Sequence, residues 1–164
     1  MNKKPTPGVR EDWDDYFMKL TLLIANRSTC LRRHVGALLV KEHRILATGY
    51  NGAPPGIPHC LDTGCLRQQM SIPSGERSEL CRAIHAEQNA LMQCASFGIP
   101  AEGATLYCTY FPCTHCIKSL LSVKISRIVY QHDYHDDLGK TLLSQSQPKV
   151  IIDRWAPQPD PFSD

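Results

Sequence analysis

The chain contains no apolar run approaching the roughly 18 residues that a membrane-spanning helix needs. Its first 20 residues also lack the apolar stretch of a secretion signal. Neither export nor membrane insertion is expected, and the cytoplasm is the expected compartment. Charge of one sign is missing too: 18 Lys and Arg stand against 16 Asp and Glu, leaving a net charge of +2. Without a cationic field, long nucleic acid has little to displace its counterions. A small ligand or a protein partner fits better. No internal repeat is visible, and 164 residues suit one domain around a single core, since domains commonly hold about 100 to 150 residues.

Cysteine, in contrast, is plentiful at eight residues. In a reducing compartment these are not structural disulfides, so their spacing points to metal binding or catalysis. Cys94 and Cys108 fall inside helical and strand patterns and are expected to be small buried core residues.

From Asp12 to Ser28, the apolar residues Trp13, Phe17, Leu20 and Ile24 recur at helical spacing behind acidic residues suited to a helix N-terminus. Val35 to Val40 and Arg44 to Tyr50 are short apolar runs split by Lys41-Glu42-His43, which predicts an antiparallel hairpin. A helix is predicted from Ala83 to Phe97, closed by Gly98, with Ala86, Ala90 and Leu91 on one stripe. Thr105 to Tyr110 predicts a strand, Pro112 the start of a helix to about Ser122, and Arg127 to Gln131 another strand. A helix near Asp136 to Ser144 and a last strand over Lys149 to Ile152 complete the pattern. Strands separated by helices imply a three-layer α/β/α sandwich on a mixed five-stranded sheet whose first strand pair is antiparallel. The expected organisation is an arm over residues 1–11, a domain over 12–152 and a loosely held Pro- and Asp-rich tail over 153–164. Gly52 to Ile84 resists the scheme. A stretch that long without periodicity is uncommon unless it is functional or tied down, and Cys60, Cys65 and Cys81 suggest how it is tied.

The strongest chemical signal joins His85-Ala86-Glu87 to Pro112-Cys113-Thr114-His115-Cys116. Cys113 and Cys116 lie three apart at a helix start, so both sulfurs share one face and the helix dipole favours their thiolates. His85, at the start of a different helix, supplies a third ligand. Three protein ligands leave a fourth tetrahedral position for water, the arrangement of catalytic zinc. Glu87, two residues from His85, points elsewhere and should sit beside the metal as a proton carrier. A lone C-x-x-C would favour a closed four-ligand structural site, with Glu87 a solvated helix residue. H-x-E together with P-C-x-x-C is similar to the signature of the zinc deaminases. The reaction this implies is attack of a zinc-bound hydroxide on C4 of a cytosine, with Glu87 protonating N3 and then the departing ammonia.

Cys30, Cys60, Cys65 and Cys81 remain, and four thiolates would complete a second, structural zinc site that staples the long segment to the first helix. His59 could replace one of them. The alternative is a set of free thiols, since these spacings are not diagnostic by themselves.

The wider context resembles the deoxycytidylate (dCMP) deaminase family within the cytidine deaminase superfamily, including its bacterial late-competence members. The likeness spans residues 12–152. It rests on Arg27-Ser28-Thr29-Cys30, Val35-Gly36-Ala37, Gly49-Tyr50-Asn51-Gly52, His59-Cys60 with Gly64-Cys65, His85 to Ala90, Phe111 to Cys116, and Asp133-Tyr134-His135-Asp136. The resemblance implies conversion of dCMP to dUMP for thymidylate synthesis, with one catalytic zinc. Asn51 would contact the sugar and the Ala86 backbone the base, while Arg27, Ser28 and Tyr134 would lie near the phosphate. It also implies a homo-oligomer, often a hexamer in relatives, and dCTP and dTTP as candidate effectors. The zinc motif alone would equally admit a tRNA adenosine deaminase, a cytidine deaminase or the deaminase of riboflavin synthesis. Outside the enzymes stands a zinc module that only holds its fold.

Overall fold

In a computed structural model, residues 10–157 are described. Most of the expected arm, and the tail beyond residue 157, lie outside them. Helix α1 (Trp13–Ala25) begins at Asp12, whose side chain accepts a hydrogen bond from the Asp14 amide at 2.8 Å. Strands β1 (Gly36–Lys41) and β2 (Arg44–Tyr50) form the antiparallel hairpin. There follow α4 (Ala86–Phe97), β3 (Thr105–Tyr110), α5 (Thr114–Ser122), β4 (Arg127–His132), α6 (Asp137–Gln145) and β5 (Ile151–Arg154). Between β2 and α4 the unpatterned segment folds only into two one-turn helices, α2 (Cys60–Thr63) and α3 (Leu66–Gln69), and a 3-10 turn at Ser78–Leu80.

The sheet order is β2-β1-β3-β4-β5. β1 pairs antiparallel with both β2 and β3, whereas β3–β4 and β4–β5 are parallel. Alternation along the strands divides the core in two. Leu38, Val40, Tyr107 and Val129 face α1 with Phe17 and Met18. Ala37, Leu39, Leu106, Cys108 and Ile128 face the other way, onto Ala90 and Leu91 of α4, Ile117 and Leu120 of α5, and Leu143 of α6. This is the expected three-layer sandwich. Cys94 and Cys108 are buried in the larger of these clusters.

Glycine sets two of the layer distances. A Cβ on Gly49 would lie 2.1 Å from the Ala86 carbonyl oxygen and 2.6 Å from the Ala90 nitrogen, so only glycine lets β2 approach α4. Gly36 does the same for β1 against α1, where a Cβ would meet the Thr21 oxygen at 2.3 Å.

Several boundaries differ from expectation: α1 ends at Ala25 rather than Ser28, and α4 begins at Ala86 rather than Ala83, with His85 as its N-cap. α5 begins at Thr114, with Cys113 as its N-cap, so Pro112 precedes the cap rather than opening the helix. The last strand continues to Arg154 and is followed by a buried Trp155, so the region from residue 153 is not a loose tail at its start. The Trp155 amide donates to the Tyr130 carbonyl at 2.7 Å, and its indole N–H to Asp15 at 2.5 Å. The partners of this segment are distant in sequence, so local composition does not reveal them.

Candidate active site

Two helix starts converge where β3 ends. His85 is the N-cap of α4, and its amide donates to Gln88 Oε1 at 3.3 Å. Cys113 is the N-cap of α5, and Cys116 lies in that helix's first turn. The start of α5 is held from behind. Asp136 accepts from the Thr114 amide at 2.6 Å and from the Thr114 hydroxyl, and also caps α6 by accepting from the Gly139 amide at 2.9 Å. Despite the cost of its burial, these hydrogen bonds from Thr114 and Gly139 hold the Asp136 carboxyl below the usual range. One carboxylate thereby aligns two helices beside the cysteines.

The ligand atoms gather tightly. His85 Nδ1 lies 3.3 Å from Cys113 Sγ and 3.4 Å from Cys116 Sγ, and the two sulfurs are 3.7 Å apart. Tetrahedral zinc, with bonds of about 2.3 Å to sulfur and about 2.0 Å to nitrogen, places two sulfurs about 3.8 Å apart and a sulfur and a nitrogen about 3.5 Å apart. The donor set therefore fits zinc in chemistry and in spacing. The two sulfurs are hydrogen-bonded to each other; that bond, opposed by burial and aided by His85, draws Cys113 down to about 4. Cys116 is correspondingly pushed far up. His85 is raised, chiefly by its hydrogen bond to Cys113.

Glu87 is 5% exposed, and its Oε2 is 3.5 Å from Cys116 Sγ, so it stands beside the ligand set. Burial pushes its carboxyl above the ordinary carboxylate range. A buried carboxyl of this kind, touching a metal-ligating cluster at the floor of a cavity, is suited to carrying protons.

The cavity above is lined by Ala86, Asn51 and Tyr134 together with His85, Glu87 and Cys113. Asn51 is largely spoken for: Oδ1 accepts from the Ser28 hydroxyl at 2.5 Å and the Val35 amide at 2.9 Å, and Nδ2 donates to the Arg33 carbonyl at 2.8 Å. One amide hydrogen is left for a ligand. Ser28 is buried behind Asn51, and Arg27 is exposed; neither lines the cavity. Arg32, Arg33, Arg67 and Tyr110 do. Sequence reasoning missed them because their only signal was adjacency, two arginines following Cys30 and one following Cys65 at two residues.

Cys30, Cys60, Cys65 and Cys81 all line the same cavity. Cys60 is raised first by burial and then by the charges of Cys65, Cys81 and Cys30, so the four lie near one another. All eight cysteines are free. Among the described residues, only His85, Cys113 and Cys116 have ligand atoms all within 4.8 Å of one another. His59 instead hydrogen-bonds Thr29 at 3.0 Å through Nδ1.

A mixed sheet sandwiched by helices, with one imidazole and two thiols at helix starts and a buried carboxyl beside them, defines the class of the zinc-dependent base deaminases. The chain belongs to the family described as the cytidine and deoxycytidylate deaminase zinc-binding region, whose pattern matches residues 11–132. It is 43% identical over 125 residues to ComE operon protein 2 of Bacillus subtilis, covering 76% of this chain and 62% of that protein. It is 40% identical over 137 residues to deoxycytidylate deaminase of Saccharomyces cerevisiae, covering 82% and 42% respectively. The chain thus spans about half the length of these curated relatives. Among solved structures, the dCMP deaminase of cyanophage S-TIM5 in complex with dCMP and dUMP superposes with a TM-score of 0.73 at 30% identity, over 90% of this chain and 99% of that one. No helix among the described residues is long and apolar enough to cross a membrane.

Proposed function

We propose that the protein hydrolyses dCMP to dUMP and ammonia, with Glu87 as its proton carrier. The observation that carries this reading is the buried Glu87 carboxyl 3.5 Å from Cys116 Sγ, within a cavity whose other charged lining residues, apart from the metal-site imidazole, are arginines. The identity to deoxycytidylate deaminases and the likeness to a dCMP-bound relative support it.

His85, Cys113 and Cys116 would hold the zinc. Bound through three protein ligands, zinc leaves a position for water and can lower that water's pKa to about 7. Glu87 takes a proton from the attacking water and delivers it to N3 of the cytosine. It then takes the remaining hydroxyl proton of the C4 adduct and delivers it to the departing amine, so the oxygen stays on C4, one hydrogen on N3, and the other leaves with ammonia. Ala86 heads α4, where backbone N–H groups lack intrahelical partners, and offers its backbone to the base. Asn51 directs its remaining amide hydrogen to the sugar, and Ser28 holds Asn51 from behind. Tyr134 stands at the rim, whereas Arg27 is assigned no contact.

Incubation of zinc-loaded protein with dCMP, dCTP, cytidine and adenosine-bearing RNA at equal concentration tests the reading through ammonia release and loss of the cytosine absorbance band. dCMP is expected to react fastest. Strong preference for cytidine would remove the nucleotide assignment, and no turnover of any substrate would favour a zinc module.

The second zinc belongs to the same reading, held by Cys30, Cys60, Cys65 and Cys81. That all four line the cavity supports it. Elemental analysis should find two zinc atoms per chain, falling to one when Cys60 and Cys65 become Ser; one zinc in the parent protein ends the idea. A homo-oligomer and control by dCTP and dTTP complete the reading, tested by light scattering and by the dCMP rate with each triphosphate present.

A further inference from the structure

The sheet ends at β2, so one side of that strand has no neighbouring strand. The Asn51 amide pairs inward with the Val35 carbonyl at 3.2 Å. Alternation along an antiparallel ladder therefore turns the backbone groups of Thr48, Tyr50 and Gly52 outward. Outward groups of this kind need partners when an edge is covered, and α4 with the residues leading into it supplies them. Gln93 Oε1 accepts from the Thr48 amide at 2.8 Å, and Asn89 Nδ2 donates to the Tyr50 carbonyl at 3.0 Å. Gly52 and Ile84 exchange backbone hydrogen bonds at 3.4 and 3.0 Å. Four residues of helix rise about 6 Å and two residues of strand about 6.8 Å, so Asn89 and Gln93 match the repeat of the edge.

These rungs bracket the candidate site. On the strand side, Asn51 lies between the Tyr50 and Gly52 rungs; on the helix side, His85, Ala86 and Glu87 lie between the Ile84 and Asn89 rungs. Gly49 sets how closely β2 approaches α4, but a residue without a side chain offers no knob to stop one element sliding along the other. Directional bonds supply that stop. The Gly52–Ile84 rung is made by backbone alone, so the side chain that sets the register beside the site is Asn89. Asn89 is partly buried and does not line the cavity, so it acts through what it holds.

We propose that Asn89 is a positioning residue: through the Tyr50 carbonyl it sets where Glu87 stands along α4 relative to Asn51, and so brings the ring of a nucleotide held at its sugar within reach of the proton carrier. The inference rests on the deaminase reading, with Asn51 on the sugar and Glu87 moving the proton. A misplacement of about 1 Å can cost about 100-fold in rate. Asn51 meanwhile keeps its own bonds to Ser28, Val35 and Arg33, so ligand is still bound when the Asn89 rung is lost.

Two acidic substitutions separate the bond from the charge. Asn89→Asp keeps the shape but removes the donor, whereas Gln93→Glu adds the same charge one turn on and keeps its acceptor. In zinc-loaded protein with dCMP, Asn89→Asp and Asn89→Ala should each lower kcat by about 10- to 100-fold. KM and the calorimetric affinity for dUMP should stay within about 3-fold of wild type, because the loss is in transition-state placement rather than binding. Gln93→Glu should keep kcat within about 3-fold. Zinc content and melting temperature are measured on every variant. Unchanged kcat in the Asn89 variants overturns the inference, as does a loss carried by KM and dUMP affinity. Equal losses in Asn89→Asp and Gln93→Glu with Asn89→Ala unaffected would assign the effect to charge and overturn it too. Asn89 variants that lose zinc or fail to fold mark a merely structural role, with the same consequence. Wild type that deaminates no cytosine substrate removes the deaminase reading and the inference together, whereas active wild type with indifferent Asn89 variants removes the inference alone.

Discussion

The proposed proton transfer is separable from metal binding at a single residue, Glu87. It touches Cys116 without belonging to the group whose ligand atoms share metal spacing, so its removal leaves that group intact. Glu87→Ala should retain one equivalent of catalytic zinc and the fold while losing turnover by at least about 10²- to 10⁴-fold, the usual worth of a positioned general acid–base. Zinc content, circular dichroism and kcat check this together, and a variant that kept both zinc and rate would discard the proton-carrier role. The H-x-E and P-C-x-x-C spacings made these four residues legible in sequence, because helical geometry alone aims His85, Cys113 and Cys116. Asn51 was legible as a residue but not in its bonding: the contacts to Ser28, Val35 and Arg33 that hold its amide arise from a fold-back no periodicity encodes.

Among the elements, α5 depends on a carboxylate outside itself. Asp136 satisfies the Thr114 amide and hydroxyl as well as the Gly139 amide, so Asp136→Ala uncaps two helices at once. A cost of about 1 to 2 kcal/mol per lost cap is expected, seen as a lower melting temperature and as faster zinc loss to a chelator. Unchanged zinc retention would show that Cys113 and Cys116 are positioned without it. The strand β5 is extended by Trp155, which packs with Phe17 and Met18 of α1 and Val129 of β4. Trp155→Ala should cost about 3 kcal/mol, as large core truncations do, read from denaturant midpoints. A loss within about 0.5 kcal/mol would mark that end of the chain as the loose tail its composition suggests. The segment between β2 and α4 was legible only as an exception, since its one-turn helices carry no hydrophobic stripe and its placement depends on cavity contacts.

Across the whole molecule, Asp14 links α1 to β3 and β4 directly and to β5 through Arg127. Arg127 of β4 grips it bidentately at 2.8 and 2.6 Å, Tyr107 of β3 donates to it at 2.7 Å, and Arg127 also holds Asp153 of β5 at 2.7 Å. The Arg127 hydrogen bond, opposed by burial and helped by Tyr107, keeps the Asp14 carboxyl below its ordinary value near 3.8. A lowered acid contributes stability that is present above the unfolded pKa and is lost as pH falls through the folded one. Stability should therefore hold from neutral pH to about 4 and decline below it, and Asp14→Asn should be less stable at pH 7 with a shallower acid decline. Urea midpoints between pH 7 and 2.5 measure both, and an equally steep decline in the variant would assign the acid sensitivity to other carboxylates, such as Asp136.

Periodicity and motif spacing determined the element types, the three-layer order, the His85–Cys113–Cys116 set and Glu87, because each is a relation between residues a few positions apart on a regular backbone. Tertiary structure alone decided that Trp155 closes the core, that Asp136 aligns α5, that Ser28 supports Asn51 while Arg27 stands away, and that Arg32, Arg33 and Arg67 line one cavity. Those relations join segments tens of residues apart, and packing and charge bring them together without leaving a repeat that spacing could reveal.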